Sequence, residues 1–536
     1  MNVKLVLRRM IYSDGMNPLK HSVIFVITFF FFINTMTTTS LFSYLPKLVK
    51  SFGASEVQAV AIPKEGRTSN IIPLHSRKFI STVNREDAGL IGSSLFFSRI
   101  FSSLLWGYFA DKYGNKKLLF LSSICIAIST LAFAFSRSFT WAFVTKLLQG
   151  AAMGVVIITK SIVVDVCDDT NVSLAFSILF TGYHLGEVIG PSLSAILVFP
   201  AEQYPNAFSK ESFFGEYKIF LPNLLISISF VIAIVWGYFT IPESKNALKP
   251  EEICLINEDI TEVNTDGEKE HCFMNHPLNT NDYKTAENPA LLPENQIVKH
   301  LLHKLHLMLK NSSFIRILSS KESLLSVMLY GLYGVVGIGI EEIIPVFLAT
   351  SKDYGGAAMT VFDIGIMLLV SSILFIIAQF STSKLQYRLG AKTTFVGCIF
   401  IFACATPLLP CSTLPQNNKL RWVLLLIIQV LINVVNNACF ICVNIFLGNS
   451  VEHDLLGTVN GLGMSVSCIG RALGPTIFGF SFSWSLSNID QHKFGFPFNQ
   501  FFVFFLISIG CLLTCAYVYW FIPSTLNKRK VLPEKS

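Results

Sequence analysis

Long apolar runs alternate with short polar connectors along almost the whole chain. The runs fall at 22–46, 88–110, 118–136, 139–164, 172–199, 219–241, 323–349, 361–380, 394–410, 422–447, 456–482 and 498–522. Most approach the roughly 20 residues that a helix needs to cross a hydrocarbon core, where every backbone polar group must be satisfied within the segment. The pattern predicts an all-α integral membrane protein of twelve transmembrane helices. Two polar stretches interrupt the rhythm, an insert at about 60–86 and a longer segment at 242–321. The expected order is a 1–21 tail, a six-helix bundle over 22–241, a linker over 242–321, a second six-helix bundle over 322–522 and a 523–536 tail. The linker lacks apolar periodicity over 255–295 and reads as largely disordered. An amphipathic stretch near Val298–Leu309 suits a membrane surface. The first run is too long for a signal-peptide core and no small-residue cleavage site follows it, so it is expected to persist as the first helix.

The two bundles echo each other. Gly186-Glu-Val-Ile-Gly190-Pro191 in helix 5 matches Gly470-Arg-Ala-Leu-Gly474-Pro475 in helix 11, an offset of 284 residues. Asp111-Lys-Tyr-Gly114-Asn-Lys116 matches Tyr387-Arg-Leu-Gly390-Ala-Lys392 at an offset of 276. Two matches at nearly one offset point to a duplicated six-helix repeat, a build common among transporters. In the first pair, small residues let helices approach closely, and proline removes a backbone hydrogen bond and permits bending.

Composition agrees with the pattern: 52% of residues are hydrophobic and 14% charged, against about 25% charged in soluble domains. Lysine and arginine set the orientation. With both termini cytoplasmic, 23 of the 41 fall on that side and 14 on the other, while four lie inside helices. The expected topology is therefore N-in/C-in. The net charge of +7 becomes a topology signal and asks for no nucleic-acid partner. Twelve scattered cysteines form no disulfide framework, and Cys439-Phe-Ile-Cys442 lies in an apolar helix where cysteine behaves as a small hydrophobe.

Charge concentrates in one connector, WGYFADKYGNKK at 106–117. Gly107 permits close helix contact and Gly114 a turn with positive φ. Asp111 with Lys112, Lys116 and Lys117 can pair with the ends of neighbouring helices. Such a latch, made in one conformation and broken in another, biases a two-state equilibrium.

This connector resembles motif A of the major facilitator superfamily. Ser177 with Gly186, Gly190 and Pro191 resembles the antiporter motif of its twelve-helix drug:proton branch. Within that branch the chain is similar to the zinc-induced facilitator-like carriers. Gly92-Ser93-Ser94, Arg99, Ser102-Ser103 and Trp106-Gly107 carry the likeness in helix 2, and Pro205 to Ser212 carry it before helix 6. Tyr354-Gly-Gly356, Asp363-Ile-Gly365, Asn460-Gly461 and Phe482-Ser-Trp484 extend it into the second half. The resemblance implies alternating access around a mid-membrane cavity lined by helices 1, 2, 4, 5, 7, 8, 10 and 11, and exchange over symport. Departures are also visible. Asn115 replaces the second motif A arginine, Ser194-Ala195 the closing glycines, and Lys146-Leu-Leu-Gln149-Gly150 the arginine-led motif B, so the charge is kept without the planar fork. The Cys-Pro-Gly-Cys motif and the histidine-bearing stretch of plant members are absent, and no metal site is expected.

Ionisable residues at membrane depth are costly, about 2.5–3.5 kcal/mol each on an insertion scale, and face the interior. Glu342 in helix 7 stands beside Glu341, and two close carboxylates suit proton exchange; the alternative is a hydrated pair near the helix end. Glu187 lies one helical step from Tyr183 and His184, which allows a proton relay, and as the repeat-equivalent of Arg471 it is also placed for a helix 5–helix 11 ion pair. Lys146 is a proton-linked candidate by its motif. Arg99 fits a gating network or a buried structural pair. Asn34 in helix 1 and Asn433, Asn436 and Asn437 in helix 10 are candidate substrate hydrogen-bonders, with helix–helix glue as the alternative.

The expected function is secondary active transport of a small organic solute by proton-coupled antiport. The carrier is read as a monomer without cofactors, in the plasma membrane or an endolysosomal or vacuolar membrane. Three alternatives stay open. One is a uniporter or symporter of the same fold. Another is a vesicular-type amine or polyamine carrier, which the acidic pair allows although helix 1 has Asn34 and no aspartate. The third is a receptor or scaffold that has kept the fold. The sequence contains no nucleotide-binding P-loop, metal-ligand cluster or nucleophile constellation, so no enzyme is expected.

Overall fold

The computed structural model describes residues 16–45, 47–48, 52, 74–209, 211–242, 313–490 and 494–529. Residues 60–73 of the expected insert, 243–312 of the linker with its Val298–Leu309 stretch, and 1–15 and 530–536 of the tails lie outside them. Among the described residues the long helices are α1 His21–Thr39, α2 Leu74–Tyr113, α3 Asn115–Ala134, α4 Phe139–Val166, α5 Val172–Leu197 and α6 Phe220–Thr240. They continue with α7 Lys321–Ala349, α8 Val361–Leu389, α9 Ala391–Cys411, α10 Asn418–Asn449, α11 Leu456–Asp490 and α12 Phe502–Phe521. Residues 74–86, expected in the insert, instead lengthen α2.

Ten of these helices are long and apolar enough to cross a membrane. The other two, α2 and α11, pack on each other, with Gly107, Gly457, Gly461 and Ser103 at their contact.

Helix pairing repeats with a six-helix offset. In the first half α1 packs on α5, α2 on α4 and α3 on α6; in the second, α7 packs on α11, α8 on α10 and α9 on α12. The contacts between halves, α2 with α11 and α5 with α8, exchange under the same offset. Both connectors singled out by sequence turn through a left-handed glycine, Gly114 at φ 93° and Gly390 at φ 80°.

One apolar run read as continuous is broken. α4 consists of Phe139–Ala152 and Val155–Val166, interrupted at Met153-Gly154. Gly154 sits where a Cβ would enter the Trp106 ring. The freed backbone groups find side chains from neighbouring helices: Trp106 Nε1 donates to the Ala151 carbonyl at 2.8 Å, and Ser122 Oγ donates to the Ala152 carbonyl at 2.7 Å while accepting from Gly154 N at 2.9 Å. Non-helical backbone at this depth persists only with such partners.

Ser122→Ala removes two buried hydrogen bonds at the break and leaves the Ala152 carbonyl and the Gly154 N–H only their bond to each other at 2.8 Å. It should destabilise the protein by about 1–3 kcal/mol, read as a lower melting temperature in detergent. Ser123→Ala removes only a bond from Ser123 Oγ to the Leu119 carbonyl of its own helix and should change little.

Candidate functional site: a closed seam and a charged cavity

α2 and α11 meet along small residues. A Cβ on Gly107 would run into the Gly457 carbonyl, and one on Gly461 into the Ser103 carbonyl. This approach brings Asp111 to the first turn of α11. Its Oδ1 accepts from Gly457 N at 2.6 Å, and its Oδ2 accepts from Thr458 N and Oγ1, each at 2.6 Å. The first N–H groups of a helix have no partner within it and carry the positive end of its dipole, so a carboxylate suits them. At the opposite kind of helix end, Lys116 Nζ donates to the Tyr238 carbonyl of α6 at 3.0 Å. Lys112 and Lys117 are exposed.

The hydrogen bonds described across the matching seam between α5 and α8 involve no carboxylate. Ser173, which stands 284 residues before Gly457, donates to the Gln386 side chain. Gln379 donates to Thr181 and accepts from Asn437 at 3.2 Å. Deeper in, the rings of Phe180 and Phe440 lie 4.8 Å apart. At the connector end, Asp165 accepts from Asn115 Nδ2 at 2.8 Å and lies 3.2 Å from His453 Nδ1. The halves are thus joined from the α2–α3 connector to mid-bundle.

Beyond this closure, in the part of the bundle away from that connector, a cavity of about 370 Å³ lies between α5, α7, α8, α10 and α11. His184 and Glu187, Glu341 and Glu342, Asn433, Asn436 and Asn437, and Arg471 all line it. His184 Nδ1 is 3.0 Å from Glu187 Oε2, and the imidazole stands edge-on to Phe375. Asn436 Nδ2 donates to Glu341 Oε1 at 2.9 Å, and the Tyr333 hydroxyl donates to the Asn436 carbonyl at 2.6 Å. Glu341 is therefore hydrogen-bonded across α7 and α10, and both it and Glu342 are accessible.

Other sequence candidates lie elsewhere. Asn34 is buried in α1, which packs on α5, and does not line the cavity. Glu187 takes His184 as its partner, and the α5–α11 ion pair with Arg471 is not formed. Lys146 sits inside the first half, donating to Gln149 Oε1 at 2.8 Å over the Phe133 ring, while Gln149 donates to Thr130 Oγ1 at 2.6 Å. Arg99 is buried with Nε and Nη2 lacking acceptors, so the structural ion pair considered for it is not made. Gly186 and Gly190 seat α5 on α1, and Gly470 and Gly474 seat α11 on α7, within each half. Pro191 and Pro475 lie inside these helices, and Ser177 bonds to the Ser173 carbonyl of its own helix.

Sequence reasoning passed over Lys160. Its Nζ donates to the Tyr330 hydroxyl at 2.7 Å across the two halves and lies 5.2 Å from the centre of the Phe440 ring, over which the Arg471 guanidinium sits at 5.7 Å. The signal was present: a lysine inside an apolar run is subject to the same cost that drew attention to Lys146.

The sequence profile of the Major Facilitator Superfamily matches residues 24–475. The chain belongs to this superfamily. It is similar to Protein ZINC INDUCED FACILITATOR-LIKE 1 of Arabidopsis thaliana, 26% identical over 439 residues, covering 80% of this chain and 82% of the relative. It is also similar to the major facilitator superfamily multidrug transporter mfsB of Aspergillus fumigatus, 26% identical over 447 residues and covering 75% and 72% of the two chains. Among solved structures, the human organic anion transporter MFSD10 (TETRAN) shares the fold, with TM-score 0.60 and 15% identity over 94% of this chain and 100% of that one. This superfamily member is accordingly a multi-pass membrane transporter of small molecules and not an enzyme.

Asp111→Asn keeps the shape of the latch and removes its charge, the stronger part of such bonds. It should shift the closed-to-open ratio at the connector end at least about tenfold toward open, equivalent to roughly 1.4 kcal/mol. Spin-label distances between the α2–α3 and α10–α11 connections would lengthen; unchanged distances would show that the latch does not hold the closure.

Proposed function

We propose that the chain exchanges a small organic solute for protons by alternating access. In this reading it crosses the bilayer twelve times as a monomer, with both termini and the α2–α3 connector in the cytoplasm. Bundles over 22–241 and 322–522, joined by 242–321, rock about the cavity. The observation that carries the proposal is the grouping of Glu187, His184, Glu341 and Glu342 in one cavity beyond a seam that is latched at the other end. Groups of this kind can hold protons when the cavity is empty of solute and release them when solute takes their place. Competition for one site is the requirement of antiport, because the carrier then returns loaded with one species or the other. The antiporter-motif residues Ser177, Gly186, Gly190, Pro191, Gly470, Gly474 and Pro475 support the reading by seating α5 and α11 as units that can tilt with their partners. The name of the Aspergillus relative, a multidrug transporter, agrees with an organic solute.

Purified protein in proteoliposomes with a pH-sensitive dye, challenged with organic cations, organic anions and zinc, tests this. Solute-driven proton movement should appear in the wild type and fall at least tenfold in Glu341→Gln and Glu342→Gln. Solute flux without proton movement, unchanged in both variants, would leave a facilitator whose cavity carboxylates serve another purpose.

A further inference from the structure

We infer that Arg99, Lys160 and Arg471 form a binding site for an anionic group at the floor of the cavity; taking that group to be part of the transported molecule rests on the transport reading above. The three cations come from α2, α4 and α11, lie within electrostatic reach of one another, and surround Tyr330 and Phe440. None of them is in a salt bridge among the described residues. Arg471 has only a long contact from Nε to Ser467 Oγ at 3.4 Å, and Lys160 has the Tyr330 hydroxyl. Arg99 is 5% exposed, and its Nε and Nη2 point at no acceptor.

Guanidinium groups are built to grip a planar or tetrahedral anion through parallel N–H bonds. Three buried basic side chains with no salt-bridge partner are costly to keep in a membrane protein, which favours a functional reason for retaining them. The contrast with Lys146 is instructive, because that lysine and its glutamine partner form a chain that ends on Thr130. The cluster at Arg99 ends on nothing. Arg471 and Phe440 line the cavity, and Lys160 stands against the Phe440 ring from outside that lining, so the cluster borders the cavity through these two residues.

The opposite wall narrows the chemistry. Glu341 acts on Arg471 electrostatically from beyond salt-bridge distance, and Glu187 and Glu342 stand near it. A simple anion is repelled by these carboxylates while they are ionised. A molecule with a carboxylate, sulfonate or phosphate at the floor and a basic nitrogen toward the glutamates satisfies both walls. Its nitrogen then takes the place of the exchanged proton. The solute class is therefore amphoteric.

Melting of the full-length protein in nanodiscs at low salt, titrated with sodium 4-methylbenzoate, 4-(aminomethyl)benzoate, 4-methylbenzylamine hydrochloride and sodium chloride, tests the inference. Both carboxylates should stabilise the wild type saturably, the amphoteric one at lower concentration. Apparent affinity should fall at least tenfold in Arg99→Gln and Arg471→Gln. 4-Methylbenzylamine hydrochloride should do no more than sodium chloride. In anion-free buffer Arg99→Gln should melt at or above the wild type, because it removes an uncompensated buried charge; a structural pair would make it melt lower. Arg99→Lys keeps the charge with a poorer donor set and should give intermediate affinity. Saturation by chloride alone, lost in the same variants, would overturn the assignment to the transported molecule. Absent shifts, or shifts equal in wild type and variants, would overturn the site. Failure of proton exchange would appear only in the dye assay and leave these melting shifts intact.

Discussion

Asp111 can hold the first turn of α11 only because nothing but backbone separates the two helices. Gly107 faces the Gly457 carbonyl and Gly461 faces that of Ser103, each at a separation that leaves no room for a methyl group. Once the backbones are this close, a short aspartate side chain reaches two N–H groups and a hydroxyl at once. Glutamate at the same position would overshoot, and lysine would face the wrong end of the dipole. The small-residue seam and the carboxylate are thus one device: the first sets the distance and the second supplies a contact that exists in one arrangement of the halves.

The duplicated seam shows what happens without the carboxylate. Tyr387 stands where Asp111 stands, and α5 is held to α8 by amide and hydroxyl groups, Gln386 with Ser173 and Gln379 with Thr181. Neutral hydrogen bonds between side chains are weaker than charge-assisted ones and more easily exchanged for water. The structure is therefore nearly symmetric in packing and asymmetric in what fastens it. The strong fastening belongs to the short, charged connector.

Much of this architecture was legible as a pattern. Apolar runs long enough to span a membrane located the helices, and the paired GxxxGP segments exposed the duplication, because helix contact in lipid leaves small residues as its trace. The break in α4 was not legible: its partners, Ser122 and Trp106, lie on other helices, and 139–164 has no proline or polar run at Met153-Gly154 to mark it. For the site, the ionisable residues in helices were visible one by one through the cost of burying them. Their grouping was not, since convergence of Glu187, Glu341 and Arg471 depends on how three helices rotate about their axes. Asn34 shows the same limit from the other side. Its type suits a cavity, but it lies outside the cavity lining. Lys160 was within reach of the same reasoning that picked out Lys146, and only its partner Tyr330, more than 150 residues away, was out of sight.

α11 connects the two levels of the molecule. Near its start it lies on α2 through Gly457 and Gly461; further along, Gly470 and Gly474 seat it on α7 of its own half, with Arg471 between them facing the cavity. Arg99 rides on α2 and Lys160 on α4, both in the other half. In the proposed alternating-access cycle, a rocking motion that breaks the Asp111 contact would carry α11 away from α2, and with it Arg471 away from Arg99 and Tyr330 away from Lys160. On that proposal the cationic floor is complete only while the seam is latched. An anionic group bound there would add its own contacts to the closed arrangement alone, and a ligand shifts an equilibrium by its difference in affinity for the two states. Latch and floor are coupled through the rigid length of one helix, with no chain of intermediate side chains needed between them.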